Sequence, residues 1–215
     1  LVRECNGLVM RKTDFKIISM GQMLMREIVG QIDDKETRHW TPGNYTEIQY
    51  AIDCPVVKVF YYDNEWVIST NKRLNAKHAK WFSEIDTFYD YFEQCVCSKT
   101  SNDVQNALSS YLDKNTTYSF GIMHPNTHHI IKYNDSNLML LCQRDMTTLN
   151  EIDIYGQEDT DLYTIPKYWN TLPNTDYRGL IVIRHRNDPI HVERFKTDDP
   201  IFKLYDTIKG NHPTF

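Results

Sequence analysis

A chain of 215 residues, 40% hydrophobic and 25% charged, has ordinary globular composition and enough apolar side chains to bury a substantial core. Its formal net charge of -5 argues against a non-specific nucleic-acid binder, whose affinity rests on Lys and Arg displacing counterions, although a local basic groove stays open. The five cysteines, Cys5, Cys54, Cys95, Cys97 and Cys142, are odd in number and include no CxxC pair, so they indicate neither a disulfide framework nor a zinc site and fit a reducing compartment.

No internal repeat or low-complexity tract divides the chain, and one domain over 1–215 is the simplest organisation. Leu1 in place of an initiating Met implies residues missing upstream, and no separate C-terminal domain is expected. In chain order, apolar runs at 5–10 and 15–20 flank polar turn residues and read as a strand pair. Two β-rich runs, 56–62 and 65–70, surround Asp63-Asn64 in the pattern of a tight hairpin. From Asn75 the period changes: Trp81, Ile85, Phe88 and Phe92 are spaced four, three and four apart, which predicts a helix of about 20 residues. A second helix is expected over 104–112. The runs 117–123, 129–133 and 138–143 read as a three-stranded meander with turns at 124–127 and 134–137. Residues 179–185 and 191–196 flank Arg186-Asn187-Asp188-Pro189 as another hairpin, and 201–208 closes the chain as a helix. Fourteen Tyr and four Trp favour sheet packing, and the class is α+β, antiparallel sheets flanked by helices.

The order of segments is similar to the ATP-dependent RNA ligase family typified by the first RNA ligase of phage T4. Arg3-Glu4-Cys5-Asn6-Gly7-Leu8-Val9-Met10 resembles that family's E-C-R-G-[IL]-V-F segment, with Asn6 at the arginine. Tyr50-Ala51-Ile52-Asp53-Cys54-Pro55 stands where the family has K-x-D-G-S, followed by an aromatic strand and, after Trp66 to Thr70, a [ST]-[KR]-G turn. Tyr118-Ser119-Phe120-Gly121-Ile122-Met123-His124-Pro125-Asn126 resembles F-x-F-E-x-v-x-P-x-N, and 138–145 the strand and R-[DE] turn after it. Arg178-Gly179-Leu180-Ile181-Val182 stands at E-G-x-V, and Arg194-Phe195-Lys196-Thr197-Asp198 at K-x-K-S-D. Each match alone is weak; their order and spacing carry the likeness. It implies the nucleotidyltransferase, ATP-grasp-like fold of an RNA ligase adenylation domain.

The resemblance also implies lost chemistry. In the family a lysine amine attacks the α-phosphorus of ATP, and the matching residue is Ala51, which has no lone pair. Lys58 lies seven residues on, and an odd separation along a strand puts it on the opposite face, a poor substitute. The neighbouring glycine is Cys54, the sugar-contacting acid is Gly121, and the metal-handling acid is Arg178, which sets a fixed cation at that place. Asp53 survives, Arg194 replaces one phosphate-contacting lysine, and Lys196 keeps the other. No catalytic residue, no metal site and no cofactor are expected, with ATP and magnesium needed only if activity persists.

The bland readings run beside these. Asp53 reads first as a turn or salt-bridge aspartate, and Arg178 could pair with it across the vacated pocket. Arg194 and Lys196, two apart on a strand, share a face that is either solvated or a small anion site. His124, His128 and His129 near Asp135 read as turn histidines rather than metal ligands, Cys95 and Cys97 as helix-end packing, and the Trp81 stripe as core. Three functions follow: a non-catalytic ligase-like scaffold bound to another protein in a viral or phage assembly, an RNA- or nucleotide-binding module without chemistry, or an active ligase with a displaced nucleophile. No apolar run approaches the roughly 18 residues that span a bilayer, so no membrane partner is expected and the location is the cytoplasm, of a host cell or within a virion if viral.

Overall fold

A computed structural model describes residues 7–22, 25–27, 46–81, 85–100, 103–127, 129–152, 178–185 and 192–209. The main sheet starts from a locally encoded hairpin. Strands β5 (Val56–Tyr62) and β6 (Glu65–Ser69) are joined by Asp63 and Asn64, whose φ values of 53° and 66° are both left-handed, as a two-residue turn between twisted strands demands. With β7 (Thr116–Met123), β8 (Asn137–Asp145) and β9 (Glu151–Ile152) they form a five-stranded antiparallel sheet ordered β6-β5-β7-β8-β9. Alternation then sorts the side chains. Val57, Val59, Trp66, Ile68, Tyr118, Phe120 and Ile122 gather on one face, against Tyr91, Phe92, Cys95 and Val96 of helix α1 (Phe88–Cys97) and Ala107 and Leu108 of helix α2 (Val104–Tyr111). Lys58, with its cross-strand neighbours Ser69 and Ser119, falls on the opposite face, and every residue of β7 is buried.

A second sheet is ordered β3-β11-β10-β4, from β3 (Arg26–Glu27), β4 (Thr46–Ala51), β10 (Gly179–His185) and β11 (Val192–Asp198), antiparallel except where β3 joins β11. Ala51, Ile181 and Ile183 pack there with Met25. Helix α3 (Pro200–Lys209) follows β11 and sends Phe202 into a cluster with Met123, Ile131, Tyr133 and Met139, which ties the two sheets together. A separate hairpin of β1 (Val9–Met10) and β2 (Ile17–Ser19) pairs with neither larger sheet. The sheet-rich α+β class with antiparallel pairing is therefore present, and no helix among the described residues is long and apolar enough to cross a membrane.

Three expectations are corrected. The helix predicted from Asn75 begins at Phe88, because Thr87 and Asp90 form a capping box: the Thr87 amide donates to the Asp90 carboxylate at 2.7 Å and the Asp90 amide to the Thr87 hydroxyl at 3.2 Å. Ahead of it lie a 3-10 turn at Ala76–His78 and a bridge between Lys80 and Thr87. Trp81 still packs edge-on to Phe88, but Ile85 is 85% exposed and belongs to no apolar stripe. Residues 129–133 are not a strand: β7 pairs directly with β8, and the amides of Ile130 and Ile131 are taken by the Asp53 side chain instead of a ladder. Strand β4, which the sequence reading did not mark as a strand, supplies the edge on which the candidate site is built.

Candidate functional site

Strand β4 ends at Ala51, paired in register with Gly179; Arg178 donates its amide to the Ala51 carbonyl at 3.0 Å. This pairing brings Ala51, Asp53, Cys54 and Arg178 to the ends of β4 and β10, with Asp198 at the end of β11 beside them. Asp53, 4% exposed, is spent on the backbone: its Oδ2 accepts the amides of Ile130 at 2.6 Å and Ile131 at 3.0 Å, and its carbonyl accepts the Tyr133 hydroxyl at 2.9 Å. A turn-capping aspartate is thus the reading that holds. The expected Arg178–Asp53 pair is present but long, at 3.9 Å. The stronger partner is Asp198, which accepts from Arg178 Nε at 2.8 Å and Nη2 at 3.3 Å and also holds Lys196 Nζ at 3.3 Å. The guanidinium lies 4.8 Å over the Phe202 ring. Burial opposes the Arg178 charge, yet the hydrogen bond and charge of Asp198, with Asp53 behind, hold its pKa above the ordinary value. Burial likewise opposes the Asp198 charge, and Arg178 and Lys196 outweigh it and lower its pKa.

Arg194, 4% exposed, donates to Glu151 Oε2 at 3.1 Å, and Glu151 also accepts from Arg144 at 3.1 Å. Arg194 and Lys196 do share a face, but it is not a solvated one: both lie between β11 and neighbouring acids, each cation matched from within the chain. Gly121 and Cys54 form one packed feature. A Cβ built on Gly121 would stand 2.5 Å from Cys54 Sγ, so the sulfur fills the space into which any side chain at 121 would project. Burial first, then the Asp53 charge, pushes that thiol up to about 12, leaving it neutral.

Lys58 requires a correction. Ala51 and Lys58 sit on strands of different sheets, so the odd spacing between them says nothing about their faces. Lys58 is 2% exposed, its amine donates to the Gly7 carbonyl, and burial alone pulls its pKa down to about 8. Of the histidines, His124 is buried, pairs with Gln94 at 3.0 Å and has its pKa lowered by burial, while His129 meets Asp206 at 2.7 Å. Cys95 is buried as expected, but Cys97 is exposed. Among the described residues no group of three His, Cys, Asp or Glu could hold a metal ion. Asn6 and His128 lie outside the described residues. A groove of about 530 Å³ lined by Met10, Lys12, Tyr62, Leu74 and Lys77 shares no residue with this cluster.

Glu151 escaped the sequence reading, since a lone acid after a polar turn carries no signal of its partners; Asp198 was visible only as the last residue of a motif. What the arrangement can do chemically is limited: at Ala51 there is a buried methyl, at Asp53 a backbone cap, and at 178, 194 and 196 cations already neutralised. No family model matches the chain. Over 123 residues, 55% of this chain, it is 28% identical to the immediate-early protein ICP-46 homolog of Invertebrate iridescent virus 3, and that stretch spans 27% of the viral protein.

Proposed function

We infer that the chain has the nucleotidyltransferase fold of an RNA ligase adenylation domain and serves, without catalysis, as a binding or structural module whose partner is another protein in a viral or phage assembly. The observation that carries this reading is the matching of the three cations at the ligase-like positions: Arg178 and Lys196 by Asp198, and Arg194 by Glu151. A nucleotide would have to break these pairs before it gained a contact, and a buried carboxylate left alone is costly. The buried methyl of Ala51 and the thiol that fills the space beside Gly121 support the same reading. The likeness to an iridescent-virus protein fits the viral setting. Neither ATP nor magnesium has a role, and RNA would bind, if at all, through surface rather than pocket.

The test is incubation of the chain with α-labelled ATP and magnesium or manganese, followed by denaturing electrophoresis. The expected result is no labelled protein; a band that survives denaturation would overturn the reading.

A further inference from the structure

We propose that Lys58, with the hydroxyls of Ser69 and Ser119 on either side of it, forms a binding site for a phosphoryl group, which the Gly7 carbonyl occupies while the turn at Gly7 is closed. This site is separate from the paired cations of the β4–β10–β11 corner and does not depend on the proposed function.

The case begins with a buried ammonium. Lys58 lies mid-strand in β5, directly opposite Ser69 on β6 and Ser119 on β7, so three polar side chains stand in a row across the inner face of the main sheet. All three are at most 2% exposed. Both serine oxygens are buried without a hydrogen-bond partner in the structure, an unusual pair, since buried hydroxyls are nearly always satisfied. Among the described residues no charged group contributes to the shift of the Lys58 pKa and no carboxylate balances it; the partner they supply is one backbone carbonyl. One cation flanked by hydroxyls with free protons complements an oxyanion, which the ammonium would hold and a flanking hydroxyl would donate to.

The cover over this row is shaped to come close and to leave. A Cβ at Gly7 would stand 2.6 Å from Lys58 Nζ, and one at Gly21 would stand 2.7 Å from Lys58 Cδ and 3.2 Å from Ser119 Oγ. Gly7 also has φ +69°, a left-handed conformation open to glycine at little cost. Among the described residues the hairpin between these glycines pairs with neither larger sheet; its Ser19 end is held to β7 by the Thr117 hydroxyl at 3.3 Å, while Gly7 lies at its other end. Asn71 Oδ1 lies 2.8 Å from the same built Cβ at Gly7, so the Asn71 side chain borders the cover.

The experiment is thermal unfolding of the chain at pH 7 with inorganic phosphate, against sodium chloride of matched ionic strength, with AMP in a parallel arm. A ligand bound by the folded state raises the midpoint by roughly 5–10 °C at a hundredfold excess over Kd for a protein of this size. Phosphate is expected to raise it, Lys58→Met to abolish the rise, and the Ser69→Ala/Ser119→Ala double variant to shrink it. The rise should also fade above pH 8, where Lys58 gives up its charge. An equal rise with AMP assigns the site to the phosphoryl group alone, and a larger one adds a nucleoside contact. No phosphate-specific rise, or one that survives in Lys58→Met, would overturn the proposal. Should Lys58→Met not fold, an undiminished rise in the serine double variant would do the same.

Discussion

Adding one methyl group at Gly121 tests whether the Cys54 sulfur really occupies the space of a side chain at that position. Gly121 sits in β7 with an ordinary extended backbone, so Gly121→Ala carries no conformational strain and even gains about 0.4–1 kcal/mol by restricting the unfolded chain. Against that stands the 2.5 Å between the new Cβ and Cys54 Sγ, well inside ordinary contact, with Leu141 Cδ1 also 3.6 Å away. Overpacking of this kind costs about 1–3 kcal/mol, so the net loss is about 1–2 kcal/mol. For a protein of this size the midpoint should fall by about 2–8 °C.

The discriminating measurement is a double-mutant cycle with Cys54→Ala, followed by urea unfolding and tryptophan fluorescence. In the Cys54→Ala background the sulfur is gone and Gly121→Ala should cost nothing or stabilise slightly, giving a coupling energy of about 1–3 kcal/mol. If Gly121→Ala costs as much without the sulfur as with it, the two positions are independent and the space at 121 is limited by something else.

Four further outcomes follow from the same contacts. The folded pKa of Lys58, about 8, lies below the ordinary 10.5, so the unfolded chain holds the extra proton between those values; stability should rise with pH across that window, by about 3 kcal/mol in all, in phosphate-free buffer. Urea titrations of Lys58→Met should lack that rise. Asp53→Ala strands two buried amides and should cost about 3 kcal/mol or more by chemical unfolding, whereas Asp53→Asn, which keeps an acceptor oxygen, should cost less. Gln105 grips the open edge of β6 through both backbone groups of Trp66, at 2.8 and 2.9 Å, and Gln105→Ala should lose about 1–2 kcal/mol and speed hydrogen exchange at the Trp66 amide. Ala51→Lys should give no labelled band with α-labelled ATP, because Asp53 beside it is spent on backbone amides and Arg178, Lys196 and Arg194 are already paired with acids.

Much of the fold could be read because its signals are local. Asp63-Asn64 specifies a two-residue turn whatever surrounds it, and both residues adopt the left-handed backbone that such a turn needs. Helix α2 begins where Asp103 caps the Asn106 amide at 3.1 Å. The long helix failed for a reason also written locally: Thr87-Phe88-Tyr89-Asp90 is a capping box, and its start signal outweighs an apolar spacing that runs through it. The segment 129–133 failed for the opposite reason. Its amides are claimed by Asp53, 77 residues away from Ile130, and no periodicity within the segment reports so distant a partner.

The candidate site shows the same division. Parity on β11 correctly put residues 194 and 196 on one face, but their acids differ: Glu151 comes from β9 in the other sheet, while Asp198 is two residues further along the strand. Set one by one against the ligase motifs that the sequence resembles, Cys54, Gly121 and Arg178 look like three separate departures. In space they are compensated. The thiol fills the space left by the missing side chain at 121, and the guanidinium at 178 finds Asp198 on one side and Asp53 on the other. Cys54, Gly121 and Arg178 pack and pair with their neighbours, so any single larger or acidic residue introduced in this corner meets a filled wall or a matched charge.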